Sequence, residues 1–358
     1  MKEVIALDTK LLHKILEAPS PSGFETGAQA IIQEELDKVC ESTSSDVLGN
    51  VMGTRNKEGN PVVMLTGHSD EIGLQITSVN EHGYLRFRPI GSVDPYVLPA
   101  ERVKIHTGGE PVLGVIGRTP IHELRENNEQ SEIDFTDLWI DIGVHDREEA
   151  LNRVSIGDPV TYASNFERLH GDFIVSKSVD NKLGSFMGIE VMKYFDKHQD
   201  PEAAIHVAST VQEELGARGA TVASHRIKPD VMIALTEAWD TIVPGMDSEK
   251  LGPTECGKGP IILRGANMNS KLYDLFMEVA NAESIPVQIQ GEPGRTGTDA
   301  WPVQISRDGV TTGLINIPMR YCHTSSEIIN LRDVESGIKL AIEVIKKLHG
   351  NLSFKPLE

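Results

Sequence analysis

The chain is predicted to fold as an α/β protein, with a mixed, largely parallel sheet sandwiched by helices and interrupted by an inserted small β domain. Three observations predict this. Strand-length apolar runs alternate with amphipathic helical stretches on both sides of the middle of the chain, the pattern of a sheet covered by helices. The run Pro61-Val62-Val63-Met64-Leu65-Thr66-Gly67 is continuously apolar and closed by glycine, as a central strand buried on both faces would be. Between about residues 71 and 166 the texture changes to short β-like runs punctuated by turns.

Taken in order, Leu11, Leu12, Ile15 and Leu16 recur at helical spacing, with Asp8 or Thr9 to cap the start and Pro19-Ser20-Pro21 to end the run. A second helix is expected over 28–39, with Ile31, Ile32, Leu36 and Val39 inward. Strands are expected at 62–66 and, within the insertion, at 83–87, 103–105, 112–117, 138–142 and 159–162. Beyond it come a helix over 183–198, strands at 204–211 and 231–235, a helix over 270–282 and a strand at 310–317. The last helix should start at an Asp333 cap and carry the stripe Val334, Ile338, Ala341, Ile342, Ile345 and Leu348, with Gly350 after its basic end.

A length of 358 residues allows one large or two ordinary domains. The net charge of −19 repels phosphate backbones and anionic lipid, which excludes nucleic acid and membrane surfaces as expected partners. Cys40, Cys256 and Cys322 are widely spaced and form no CxxC pair, so neither a disulfide framework nor a cysteine zinc site is expected. With no leader-like apolar stretch and no membrane-length run, the expected location is the cytoplasm.

Ligands of open α/β sheets gather at the carboxyl ends of strands, so polar residues just past buried runs are the candidates for chemistry. Four places qualify. In Gly67-His68-Ser69-Asp70-Glu71, residues two apart share a side, so His68 can ligate a metal while Asp70 orients its ring; otherwise both merely cap a turn. In Gln212-Glu213-Glu214-Leu215-Gly216, Glu214 can bind metal while Glu213 serves as general acid and base, or the pair is solvated surface. Asp180, in Ser178-Val179-Asp180-Asn181, is either a helix cap or a carboxylate bridging two cations. His323, in Arg320-Tyr321-Cys322-His323, is a second imidazole ligand or a surface histidine. Together they form a histidine and carboxylate set without cysteine, which suits zinc, cobalt or manganese in a paired hydrolytic site. No GxSxG elbow, Walker loop or dinucleotide fingerprint competes.

The motifs GHSDEIG, SVDNKLG, QEELGARGA, GRTGTDA and RYCHTSSE, in this order and spacing, resemble those of the M42 family of metallo-aminopeptidases over essentially the whole chain. The resemblance implies a zinc-exopeptidase-like catalytic domain formed by 1–70 and 167–358, and a small β-barrel or PDZ-like dimerisation domain at 71–166. It implies two divalent metal ions per subunit, held by His68, Asp180, Glu214 and His323, with Asp180 bridging and a cis bond to Asn181. Glu213 matches the family's catalytic acid and base, and Asp70 the residue orienting His68. For the fifth ligand, a gapless count from Pro244-Gly245 lands on Thr236, a poor ligand; Glu237 is therefore assigned, with Asp240 as fallback. A second departure is the Arg295 and Trp301 of the GRTGTDA region, where Arg295 either favours acidic substrate side chains or is simply solvated.

The family pattern further implies a homo-oligomer in which dimers close into a hollow tetrahedral dodecamer acting on short peptides. The expected function is removal of N-terminal residues, with Glu213 passing a proton from the attacking water to the departing amine. A related two-metal carboxypeptidase or N-acyl deacylase is the alternative enzyme. A non-catalytic shell protein and a glycosidase are weaker readings, because Glu213 and Asp70 are both present and the carboxylates are better used by metals.

Overall fold

Asp8 caps the first helix, α1 (Thr9–Glu17), by accepting the Leu11 N–H at 3.1 Å, which turns Leu11, Leu12, Ile15 and Leu16 into the core. In α2 (Thr26–Val39), Ile32 and Leu36 are buried, whereas Ile31 and Val39 pack only partly against the core. The computed structural model describes residues 6–120, 122–123 and 132–358; residues 1–5, at the start of the expected first segment, and 121 and 124–131, inside the expected insertion, lie outside the described residues.

Strands β1 (Ser42–Ser45), β2 (Val51–Arg55) and β3 (Val62–His68) follow. Next comes a closed six-stranded barrel of β4 (Gly73–Val79), β5 (Leu85–Ile90), β6 (Arg102–Ile105), β7 (Val112–Arg118), β8 (Leu138–Asp141) and β9 (Pro159–Tyr162), in the order β4-β5-β8-β7-β6-β9. It has its own core, with Ile76, Leu85, Ile105, Ile116 and Ile140 among its buried residues. Strand β4 is not apparent from sequence because a bulge between Ile76 and Ser78 breaks the two-residue alternation.

The chain then returns through β10 (Glu167–Arg168), β11 (Phe173–Ser176), α3 (Val179–Lys197), β12 (Ala204–Thr210), α4 (Arg218–Ile227) and β13 (Val231–Trp239). It closes with β14 (Ile261–Gly265), α5 (Ser270–Glu283), β15 (Gln288–Glu292), β16 (Thr311–Arg320), β17 (Glu327–Asn330) and α6 (Leu331–Ile345). The large sheet has eleven strands; its main path is β1-β2-β12-β3-β13-β16-β17-β11-β10, and β14 and β15 attach beside β16. Only β12, β3, β13 and β16 form a continuous parallel block, and antiparallel strands flank it. The sheet is thus mixed, with its parallel centre where the apolar runs are longest. The carboxyl ends of these four strands form one rim, at His68, Thr210, Trp239 and Arg320.

Helix α3 lies directly on that centre because two glycines remove the side chains between them. A Cβ at Gly67 would sit 2.1 Å from the Gly184 carbonyl carbon, and one at Gly184 would sit 2.0 Å from the Leu235 oxygen. The helix opens four residues earlier than expected, at Val179, with non-helical backbone at Asp180 and Asn181 and a cis bond between them. Helix α6 likewise starts before its expected cap: Asn330 caps it by accepting the Arg332 N–H at 2.9 Å, and Asp333 falls in the first turn. There its carboxylate accepts the N–H groups of Gly257 (2.6 Å) and Gly259 (2.7 Å), which ties the helix to the loop that leads into β14.

Below the rim, Glu71 is buried in a cluster of cations. It accepts Lys177 Nζ at 2.7 Å, Lys182 Nζ at 2.9 Å, the Ser20 N–H at 2.8 Å and the Ser178 hydroxyl. A buried carboxylate persists as an anion only with such company. Burial works to raise its pKa, but the charges of Lys177 and then Lys182 prevail and hold it at about 2. Burial draws Lys182 itself down to about 7. Among the described residues no helix is long and apolar enough to cross a membrane.

Candidate functional site

Each of the four parallel strands delivers one part of a cluster at the rim. His68 is the last residue of β3, and Thr210, beside it in register, ends β12 and leads into Gln212-Glu213-Glu214. Glu237 stands inside β13, which runs four residues past its expected end, and His323 follows the end of β16. Asp180 reaches the same point from the first turn of α3.

The Asp180 carboxylate lies between two imidazoles. Its Oδ1 is 3.1 Å from His68 Nε2 and its Oδ2 is 3.2 Å from His323 Nε2. Glu213 Oε2 lies 3.8 Å from His68 Nε2, and Glu214 Oε1 lies 3.4 Å from His323 Nε2. Both rings are oriented from behind by acceptors, which requires the proton on Nδ1. His68 Nδ1 faces the Asp70 carbonyl at 3.1 Å and the Asp70 Oδ1 at 3.4 Å. His323 Nδ1 donates to the Ser92 carbonyl at 2.8 Å, a group on the barrel side of the site. Each Nε2 is therefore left to face the Asp180 carboxylate, the tautomer a metal ligand needs.

Asp70 does more than hold a ring. Its Oδ1 accepts the Glu213 N–H at 2.9 Å, its Oδ2 accepts the Glu214 N–H at 3.1 Å, and the Ser22 hydroxyl donates to Oδ2. Against its burial, the His68 contact first, and then the Ser22 and Glu213 bonds, hold the Asp70 carboxyl below the usual carboxylate range. Glu213 is driven the other way: burial, reinforced by Asp299, Asp180 and Glu214 and opposed by His68, raises it to about 8. Cations held at this site would oppose that rise and favour the ionised carboxylate, the form that can accept a proton.

The donor set fits cations. Asp70, Asp180, Glu213, Glu214, Glu237, Asp299 and Glu327 crowd two imidazoles, and burial raises the pKa of Glu214, Glu237 and Asp299. Glu237 Oε1 accepts the Thr236 hydroxyl at 3.1 Å, while its enclosed Oε2 has no partner among the described residues. An orphaned buried carboxylate oxygen beside Asp180 is the mark of an absent positive charge. Asp240 is used differently. It accepts Arg320 Nε at 2.7 Å and the N–H groups of Cys256 (3.1 Å) and Ile242 (3.0 Å), leaving little for a metal.

Four participants are not singled out by sequence reasoning. Glu327 is buried and accepts the backbone N–H groups of Asp180 (3.1 Å) and His323 (2.9 Å), so it spaces the two. Burial first, then Asp180, raises it to about 8. Cys322 Sγ lies 3.4 Å from Asp180 Oδ2, and ligand atoms of Asp180, Cys322 and His323 fall within 4.8 Å of one another, so a thiol does border the site. Asp299 accepts the Thr210 hydroxyl at 2.7 Å. Ser92 contributes only a carbonyl, which no side-chain pattern reveals. Glu327 and Asp299 fell within two of the motifs, so position was the available signal. Arg295 is exposed and its guanidinium lies over the Trp301 ring at 5.1 Å.

The chain is similar to known aminopeptidases. The chain is 37% identical over 345 residues to the lysyl aminopeptidase of Pyrococcus furiosus, covering 96% of this chain and 98% of that one. The crystal structure of a TET aminopeptidase from a marine sediment Thaumarchaeota archaeon superposes with a TM-score of 0.91 at 31% identity, covering 95% of this chain and 96% of that chain. The TET1 peptidase of Pyrococcus horikoshii, which can assemble into a tetrahedron or a large octahedral shell, gives a TM-score of 0.84 at 29% identity, over 95% and 99% of the two chains. The model of the M42 glutamyl aminopeptidase family matches residues 49–340. The chain accordingly belongs to the M42 glutamyl aminopeptidase family, and is an aminopeptidase that hydrolyses peptide bonds.

Proposed function

We propose that the chain removes the N-terminal residue of short peptides with two divalent cations, zinc, cobalt or manganese, held by His68, Asp180, Glu214, Glu237 and His323. The observation that carries the reading is the Asp180 carboxylate, which turns one oxygen to each Nε2, as a bridge between two cations requires. Bound there, the cations supply Lewis acidity towards the scissile carbonyl and the attacking water, and attract the peptide's free amine.

The chain's own groups do the rest. Glu213, 3.8 Å from His68 Nε2, takes a proton from the water and hands it to the departing amine. Asp70 fixes the Glu213 and Glu214 backbone and keeps His68 in the tautomer with Nε2 free. Glu327 holds the Asp180 and His323 backbones at their spacing.

The division of the chain into a catalytic body, 1–70 with 167–358, and an insertion at 71–166 is supported by the barrel's separate core. Exposed Leu113 and Val115 on that barrel suit a subunit contact, and we place the dimer interface there, with dimers closing into a dodecamer. The site of action is the cytoplasm, in keeping with three free cysteines and the absence of membrane-length helices among the described residues.

Metal analysis of the purified protein, together with hydrolysis of aminoacyl anilides against N-acetylated peptides, tests the reading. Two equivalents of metal and cleavage of free-amine substrates alone are expected. Cleavage confined to blocked peptides would replace the reading with an N-acyl deacylase, and one equivalent or none would remove the paired site.

A further inference from the structure

The cation position proposed beside His323 has a donor that the imidazole and carboxylate set does not include. Cys322 Sγ lies 3.4 Å from Asp180 Oδ2, the same oxygen that faces His323 Nε2 at 3.2 Å. One ligand atom from each of Asp180, Cys322 and His323 falls within 4.8 Å of the other two. Adjacent residues of an extended segment point to opposite sides. Here Tyr321 (φ +62°) and His323 (φ +61°) both take left-handed backbone, and the turn brings the neighbouring Cys322 and His323 side chains to one carboxylate oxygen.

The separations match those of donors around one zinc ion. Bonds of about 2.3 Å to sulfur and about 2.0–2.1 Å to nitrogen or oxygen, at tetrahedral angles, place sulfur about 3.5 Å from an oxygen and nitrogen about 3.3 Å from one. Asp180 Oδ2 stands 3.4 Å from the sulfur and 3.2 Å from His323 Nε2, and Glu214 Oε1 stands 3.4 Å from the same nitrogen. A second feature calls for a cation independently of the thiol: the enclosed Glu237 Oε2, on a side chain beside Asp180, has no partner among the described residues. The sequence gives no hint of the thiol's place, because Cys322 has no second cysteine near it to mark a zinc motif.

We propose that Cys322 is a further ligand of the cation held by Asp180 Oδ2, His323 and Glu214, and that its sulfur makes this position select zinc over manganese. The inference rests on the two-cation reading above. Thiolate sulfur is a soft donor that favours zinc, whereas carboxylate oxygen suits manganese. The S–H proton is released to solvent as the sulfur–metal bond forms. The two positions then differ, because the one beside His68 has nitrogen and oxygen donors only and lacks this added preference.

The absorption spectrum of the cobalt(II) form tests this, with the full chain stripped by a chelator and reloaded. A sulfur-to-cobalt charge-transfer band in the near ultraviolet is expected at full loading, retained by Cys40→Ser and absent from Cys322→Ser. In competition dialysis, Cys322→Ser should weaken one of the two zinc ions about 10–100-fold, the range seen for changes around a metal site, and leave manganese nearly unchanged. The spectrum of the unsubstituted chain decides even where Cys322→Ser does not fold. Two bound cobalt ions without the band, a band that survives Cys322→Ser, or an unchanged zinc-to-manganese ratio overturns the proposal while the paired-cation reading stands. No bound cobalt overturns both.

Discussion

Asp70 and Glu213 are tied through the backbone, with Asp70 Oδ1 accepting the Glu213 N–H at 2.9 Å, 143 positions along the chain. The same carboxylate faces His68 Nδ1 and accepts the Glu214 N–H, so one side chain aligns an imidazole, the proposed metal-ligating acid and the proposed acid-base residue. Asp70→Asn replaces one acceptor oxygen by an N–H donor facing other donors. Metal affinity should fall about 10–100-fold, with a loss of kcat/KM at saturating metal. Competition with a chelator, followed by kinetics at several metal concentrations, separates the two effects.

Glu213→Gln should leave metal content unchanged and lower kcat by about 10²–10⁴-fold, because the carboxamide keeps the shape but cannot carry the proton. Near-normal turnover by this variant would remove Glu213 from its role.

Glu237 and Asp240 should part company on substitution. Glu237→Gln removes a charge from an oxygen with no protein partner, and bound metal should drop with little loss of fold. Asp240→Asn weakens the bond to Arg320 and the two backbone contacts, and should cost about 1–3 kcal/mol of stability with metal content intact. Elemental analysis and thermal melts on both variants decide, and metal loss on the Asp240 change would reverse the assignment.

Gly91 sits at φ +75°, and a Cβ there would lie 3.0 Å from Glu214 Oε2 and 3.0 Å from Ile72 Cγ2. Its neighbour Ser92 supplies the carbonyl for His323. Gly91→Ala should cost about 1 kcal/mol in backbone strain and displace Glu214 and the Ser92 carbonyl together. Weakened metal binding with an intact barrel, judged by circular dichroism, is the expected signature.

Glu71 sets an acid limit. Its pKa is about 2 when folded against 4.5 for an ordinary glutamate, so its stabilisation is complete above about pH 4.5 and drains away as pH falls towards 2. The shift corresponds to about 3 kcal/mol. Glu71→Gln should lower stability at neutral pH and flatten the stability curve between pH 4.5 and 2, as followed by urea unfolding at a series of pH values. An unchanged slope in that window would show that Glu71 is not the group that titrates.

The long apolar runs were legible because burial on both faces leaves no other composition: β3, β12, β13 and β16 all stood out, and with them the residues at their ends. What escaped was set by tertiary context. Strand β15, Gln288–Glu292, is mostly polar and among the described residues pairs only with β14. Its neighbour β14 packs its apolar residues beneath α5, a surface that exists only once the sheet has formed. Asp333 read as a cap by type and place, but β17 runs straight into α6 and moves the cap to Asn330. His68 and Asp180 were visible as motif residues, whereas Ser92 and Glu327 act by holding backbone or ring atoms from a distance, which spacing does not encode.

The order of the proposed ligands along the chain has a consequence for synthesis. His68 leaves the ribosome early and the barrel soon after, yet His323, which must find the Ser92 carbonyl, emerges only near the end. The nascent chain therefore has no complete centre for most of its translation. With the proposed ligands, the centre can be complete only once the last strands of the chain have closed.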